Sequence, residues 1–292
     1  MVIVFGSINL DLIFSMEDLP APGATLLARS MRTEPGGKGA NQAVAAARDG
    51  ASVAMFGAVG RDGFAEDALA GLLRAGVDLS GVARVAAPTG VASIVTDRAG
   101  RNAIAVASGA NLLAQQAAIP DTALRGATVV VQMECDPLET SALISRAHAL
   151  GAKTILNLAP AALLPQRVLA QCALIVVNES EAAFLGEKFE CNADARSLSM
   201  RVDSGVVRTL GDDGVEAFVE GRAIAMTARR VAAIDTTAAG DCFVGVLAAA
   251  LDRGESLEAA LARANVAAAM TCTMSGSQGS MPDAAEIDGA GR

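Results

Sequence analysis

The sequence predicts an α/β fold, a mostly parallel central sheet with helices on both faces and a small second sheet beside it. Three observations carry this. Short β-branched runs alternate with Ala/Leu-rich stretches of helical period, which is the pattern of βαβ units. Two stretches break that pattern: INLDLIF with TLLARSMRT, and VASIVTD with RNAIAVASG, read as extended segments joined by Gly/Pro/Asp turns with no helix between them. Hydrophobic residues make up 52% and charged residues 19% of 292 positions, a composition that folds around a substantial core rather than staying disordered.

In chain order, VIVFG leads into a helix over 39–49, VAMFG into 64–75, VVVQM into 137–150, TILNL into 162–170 and LIVVN into 179–185. The segments 9–34 and 90–108 are expected to form a small antiparallel sheet. No long linker, internal repeat or low-complexity tract interrupts the chain, and the Gly/Ala-containing tail 283–292 is expected to fray. In sheets of this kind ligands bind beyond the carboxyl ends of the strands, so the residues that follow each strand are where chemistry is sought.

The formal net charge of −9 repels phosphodiester backbones and anionic lipid, which argues against nucleic acid and membrane surfaces as partners. An anionic substrate then needs a local device, such as converging backbone amides or a few placed cations. Cys135, Cys172, Cys191, Cys242 and Cys272 are scattered and odd in number, and read as buried thiols in a reducing compartment. The opening MVIVFGSINLDLIF has neither a basic n-region nor an uninterrupted apolar span, so the expected location is cytoplasmic. His148 is the sole histidine and falls on the surface of the 137–150 helix, which disfavours chemistry that requires a histidine.

Five motifs carry candidate chemistry. In AIDTTAAGDCFVGVLAAAL (233–251), the small residues Ala238, Ala239 and Gly240 allow the amides of 238–241 to converge on an anion at a helix start. Asp241 stands at that point; it serves there either as a helix cap or as the base that takes a proton from a substrate hydroxyl. In PGGKGANQAVAAARDG (35–50), Gly36, Gly37 and Gly39 permit close approach of backbone to a small ligand, with Lys38 and Asn41 as donors. This is neither a Walker A loop nor G-x-G-x-x-G, because Gln42 occupies the third glycine's place. In GSINLD (6–11), Asn9 and Asp11 project from one face of an extended segment, and an ordinary turn after a strand reads the same way. In IVVNESEAAFLG, Asn178 and Glu181 are spaced to face a hydrated Mg²⁺ and phosphate oxygens; a helix capping box has the same spacing. TLGDDGV (209–215) is a Gly-bounded turn, either a simple hairpin or a loop along a nucleotide.

Taken in order, GSINLD, PGGKGANQA, NESE, TLGDDG and DTTAAGD resemble the ribokinase branch of the PfkB carbohydrate kinases, over residues 2 to 282. GGKGANQA and DTTAAGD are the specific parts. The resemblance implies one kinase domain over 1–292, a ribokinase-like three-layer sandwich with a small β-sheet lid from about 9–34 and 90–108, usually shared in a homodimer. It implies phosphoryl transfer from ATP to a sugar hydroxymethyl, with D-ribose as the leading substrate and a nucleoside or another sugar as the alternative. By the same resemblance Asp241 matches the base, and Ala238, Ala239 and Gly240 the anion hole. Ser7, Asn9, Asp11, Gly37, Lys38, Gly39, Asn41 and Glu134 match sugar-binding positions. Asn178, Thr209, Gly211, Gly214, Gly240 and Asn265 match nucleotide-binding positions, and Glu181 the residue that organises Mg²⁺ through water. Asp235, Thr237, Thr271, Met274, Gly276 and Ser280 match a K⁺ site, with Met274 giving only its backbone oxygen. Leu158 replaces a proline common in the family, and Ala238, where many relatives have Gly, favours ribose over fructose or ketodeoxygluconate. A sugar sensor that lost the reaction has no use for Asp241, and a periplasmic sugar-binding protein has no match in the opening segment.

Overall fold

The structure, a computed structural model, describes residues 1–290. Its main sheet has nine strands. In chain order they are β1 (Val2–Phe5), β4 (Val53–Val59), β5 (Asp78–Arg84), β8 (Thr128–Val131), β9 (Lys153–Asn157), β10 (Leu174–Val177), β11 (Gly205–Thr209), β12 (Val215–Val219) and β13 (Arg222–Met226). The small sheet takes β2 (Asn9–Ser15), β3 (Ser30–Gly36), β6 (Gly90–Thr96) and β7 (Asn102–Ala107). Across the main sheet the order is β13-β12-β11-β10-β9-β8-β1-β4-β5, parallel from β11 to β5 with an antiparallel β11/β12/β13 edge.

Alternate residues of the central strands divide between two cores, as the two-residue period of a strand requires. Val2, Val4, Val130, Ile155 and Val176 face one core, which is completed by α1 (Lys38–Arg48), α2 (Phe64–Arg74), α8 (Ala239–Asp252) and α9 (Leu257–Thr271). Ile3, Phe5, Val129, Val131, Leu156 and Ile175 face the other, under α3 (Asp121–Leu124), α4 (Pro137–Ala149), α5 (Gln166–Leu169), α6 (Glu179–Phe189) and α7 (Ala195–Val202). The three-layer sandwich expected from the alternation of elements is therefore present. The chain runs outward from β1 through β4 to β5, then returns to build β8 and its successors on the other side of β1. The gap between the carboxyl ends of β1 and β8 is the switch point at which such sheets bind ligands.

Several local expectations change. The helix read over 162–170 is only Gln166–Leu169, because Pro165 takes its N-cap position and holds the preceding residues extended. α6 runs past 185 to Phe189, and Gly186 makes room there for the Cys191 carbonyl, which a Cβ would approach to 2.9 Å. The tail does not fray up to residue 290. Ala284–Ala290 form α10, fixed by buried Ile287 and by reciprocal bonds between Asp283 and Glu286. In the small sheet the outer pairs β2/β3 and β6/β7 are antiparallel as expected, while the inner pair β2/β6 is parallel, since α1, β4, α2 and β5 intervene between its two hairpins. Cys191 and Cys272 are half-buried; Cys135, Cys172 and Cys242 are buried, and burial pushes their thiols up to about 12. His148 is exposed on α4. No helix among the described residues is long and apolar enough to cross a membrane.

Candidate active site

The glycine turn before α1 is pressed against the end of β1. Gly37 has φ 90°, and a Cβ there would come 2.8 Å from the Asn9 amide nitrogen; at Gly39 it would come 2.6 Å from the Ser7 nitrogen. Only glycine fits either position. This contact sets Ser7, Lys38 and Glu134 together. The Ser7 hydroxyl donates to Glu134 Oε2 at 2.5 Å, the Lys38 amide donates to the same oxygen at 3.2 Å, and the Gly39 amide donates to Ser7 Oγ at 3.3 Å. Glu134 follows β8, so this cluster spans the switch point.

Asn9 and Asp11 are buried on β2, 3% and 7% exposed. Asn9 Oδ1 accepts from Asn111 Nδ2 at 2.7 Å, and Asn111 Oδ1 accepts from the Ile8 amide at 2.9 Å, which fixes the Asn9 carboxamide so that its NH₂ is free for a ligand. Burial pushes the Asp11 carboxyl up to about 7, with Glu134, Glu34 and Asp241 adding repulsion. Asp11 also borders a cleft of about 480 Å³ between the small sheet and the segments 233–237 and 275–277.

Asp241 is the third residue of α8 and is buried, 7% exposed. It is not the N-cap. Ala238 holds that position with φ 59°, and the Asp241 oxygens turn away from the helix to accept from Asn41 Nδ2 at 3.0 Å and Gln42 Nε2 at 2.9 Å. Of the amides expected to converge on an anion, that of Ala239 lies 3.3 Å from the Thr236 carbonyl, within the turn itself. Lys38 is raised above the ordinary lysine range, chiefly by the Asp241 charge, against burial and with help from Glu134 and Glu181. One lysine thus stands among carboxylates.

Thr209, Gly211, Gly214, Gly240 and Asn265 are brought together around one cavity of about 180 Å³, which Ala239, Phe243 and Ala268 also line. Gly214 sits in the β11/β12 turn with φ 106°, and a Cβ would come 2.0 Å from the Met226 carbonyl oxygen. The turn is both a hairpin and a cavity wall. Asn178 does not line this cavity. It caps α6: its Oδ1 accepts from the Glu181 amide at 2.9 Å, and Glu181 Oε2 accepts from the Asn178 amide at 2.7 Å, a complete capping box. Glu181 is nevertheless buried, and its carboxyl is raised by that burial, against the Asn178 bond and the Lys38 charge.

Asp235 clasps two loops, its Oδ1 accepting from the Thr237 amide at 2.9 Å and its Oδ2 from the Gly276 amide at 3.1 Å. Burial acts to raise this carboxyl, but these bonds outweigh it and hold it below the usual carboxylate range. The Thr271 hydroxyl turns back to the Ala267 carbonyl, Ser280 Oγ lies 2.8 Å from the carbonyls of Gly276 and Ser277, and Met274 is exposed. Among the described residues no group of three or more His, Cys, Asp or Glu is placed to hold a metal ion.

Sequence reading missed Asn111, Gln42, Gln132 and Gln278. Gln42 alone carried a local signal, a polar residue beside Asn41 at the head of the apolar run 43–47.

The chain and its fold are similar to known proteins. The profile of the pfkB family carbohydrate kinases matches residues 1–284. The chain is 35% identical to ribokinase of Schizosaccharomyces pombe, covering 99% of this chain and 97% of that one, and 34% identical to ribokinase of Haemophilus influenzae, covering 96% and 94%. Its fold superposes on ribokinase of Thermotoga maritima with a TM-score of 0.92 at 30% identity, covering 99% and 98%. It superposes on Arabidopsis thaliana ribokinase complexed with ribose and ATP with a TM-score of 0.87 at 28% identity, covering 99% and 97%. With a match that extends over nearly the whole chain and both sheets reproduced, this protein belongs to the pfkB family of carbohydrate kinases.

Proposed function

We propose that the chain transfers the γ-phosphoryl group of ATP to the hydroxymethyl group of D-ribose, giving ribose 5-phosphate. The observation that carries this is Asp241, a buried carboxylate in the first turn of α8, held by Asn41 and Gln42 and adjoining Lys38. In this reading Asp241 accepts the hydroxymethyl proton as the oxygen attacks, and the amides of Ala238, Ala239 and Gly240 stabilise charge on the transferring group, that of Ala239 exchanging its 3.3 Å contact with the Thr236 carbonyl for it. Ser7, Asn9, Asp11, Gly37, Lys38, Gly39, Asn41 and Glu134 hold and orient the sugar hydroxyls. Thr209, Gly211, Gly214, Gly240 and Asn265 take the nucleotide, with Asn178 at the phosphate end.

The site's carboxylates repel a triphosphate, and Mg²⁺ on the nucleotide offsets that charge when bound. Glu181 suits a water-mediated role: Oε2 is committed to Asn178, and Oε1 is left for a further donor. Asp235, Thr237, Thr271, Met274, Gly276 and Ser280 are assigned to K⁺. We read 1–292 as a single kinase domain, with 9–34 and 90–108 as a lid that limits access of water, shared in a homodimer. The free thiols and the use of ATP suit a cytoplasmic enzyme.

Relatives 32% identical to this chain include deoxyribokinase of Salmonella typhi, so 2-deoxyribose is the competitor that matters. An ADP-release assay with ribose, 2-deoxyribose, fructose and adenosine tests the assignment. Ribose is expected to give the highest kcat/KM; a higher value for any of the other three overturns it.

A further inference from the structure

Gln42 and Gln132 are 0% and 1% exposed; beyond the bond by which Gln42 holds Asp241, neither has been given a part in phosphoryl transfer. Gln42 lies on α1 beside Asn41 and among Ala40, Ala43, Val44, Ala45 and Ala46, all buried, where an apolar side chain of the same length would carry no desolvation cost of its own. Gln132 follows β8. Its Nε2 donates to Gln42 Oε1 at 2.6 Å, and Gln42 Nε2 donates to Asp241 Oδ1 at 2.9 Å. On the other side, Gln278 Nε2 donates to Asn41 Oδ1 at 3.1 Å, and Asn41 Nδ2 donates to Asp241 Oδ2 at 3.0 Å. An ionised carboxylate only accepts, so both inner NH₂ groups must face it, and the polarity of each arm follows. The outermost oxygens, Gln132 Oε1 and Gln278 Oε1, are buried without a partner among the described residues. Both arms are thus ordered toward Asp241 at a cost carried at their far ends.

The arms differ in purpose. Asn41 is a sugar-binding candidate, but Gln42 is wholly enclosed and, among the described residues, its side chain bonds only to Asp241 and Gln132. The geometry points to Gln42, backed by Gln132, as a positioning residue for phosphoryl transfer: it fixes the rotation of the Asp241 carboxylate, so that its remaining lone pairs aim at one place in the cleft. Without it, Oδ1 loses its donor and the carboxylate is free to swing toward Lys38, whose charge it already feels. The inference rests on Asp241 being the base.

Steady-state kinetics with sugar and MgATP, plus melting curves, test it on Gln42→Met, Gln132→Met, Asp241→Ala and the Gln42→Met/Asp241→Ala double variant. Gln42→Met is expected to lower kcat about 10–100-fold, the scale of a small misplacement of a reacting group, with both KM values within about threefold and only a modest drop in Tm, since Gln132 Nε2 is left without its acceptor. Gln132→Met follows in the same direction to a smaller extent, and the double variant is no slower than Asp241→Ala. Gln42→Leu, which has no polar atom and so removes the donor, is expected to lose kcat likewise and serves if the Met variant does not fold. Unchanged kcat in Gln42→Met, a loss that appears in KM or Tm instead, or a double variant slower than Asp241→Ala overturns the positioning role. Full turnover in Asp241→Ala overturns the base assignment and this role with it, whereas a slow Asp241→Ala beside an unaffected Gln42→Met removes the positioning role alone.

Discussion

Asp11 and Gly36 lie on adjacent strands so close together that a Cβ on Gly36 would stand 2.3 Å from Asp11 Oδ2. Gly36 pairs with Asn9 across β2/β3, so the missing side chain is what leaves space for the carboxylate two residues on. The short Asp11 side chain is buried and has little freedom to retreat. Gly36→Ala is therefore expected to weaken sugar binding about tenfold or more, roughly 1.4 kcal/mol, while nucleotide affinity changes little. Titration calorimetry checks this, and unaltered sugar affinity would show that Asp11 does not hold the sugar.

The raised Asp11 carboxyl fixes the sign of a pH effect. Unfolded, the group titrates near 3.8; folded, it does so at about 7, so between these values the folded chain holds the extra proton. Its contribution to stability is fullest below pH 4, falls as pH rises toward 7, and is flat above. Glu181, also raised by burial, acts in the same direction and is common to both proteins compared below. Asp11→Asn is expected to lose less Tm than the parent between pH 5 and pH 8, by at most about 1.4 kcal/mol per pH unit in the underlying free energy. Parallel Tm curves for the two proteins would contradict the shift.

Asp235 joins the turn that precedes α8 to the 275–277 loop, so an ion bound there would order the backbone that leads to Asp241. K⁺ is expected to raise turnover over Na⁺ at matched ionic strength, and Asp235→Ala to abolish the difference. Identical rates in the two salts at saturating MgATP and sugar would remove the cation from the assignment.

The small sheet leaves Met31, Ile104 and Val106 at least half exposed, at 58%, 56% and 50%, with Leu12, Ile13 and Phe14 only partly covered. A four-stranded sheet with so little core of its own gains from burying that surface against a second copy. Light scattering is expected to give a dimer, and Ile104→Glu with Val106→Glu to give monomers of reduced kcat/KM. A parent protein that is monomeric at micromolar concentration would sink the shared-lid reading.

What the sequence by itself determined is what neighbours in the chain decide. Hydrophobic periodicity places β1, β4, β8, β9 and β10 and the helices α1, α2, α4 and α6 to within a few residues, because a strand or helix face is set by residues two to four apart. The glycine turn at 36–39, the Asn178/Glu181 capping box and the small residues before Asp241 are local in the same sense. Tertiary structure decided the rest. Gln42 meets Asp241 across 199 positions and Gln132 across 90, and Asn111 meets Asn9 across 102, so no window of sequence contains both partners. The same holds for the parallel β2/β6 pair and for the tail helix, which forms because Ile287 finds a core made by distant residues. It also removes the cap reading of Asp241: a cap bonds to amides of its own helix, and Asp241 instead accepts from side chains of α1, a choice that exists only once α1 and α8 are packed together.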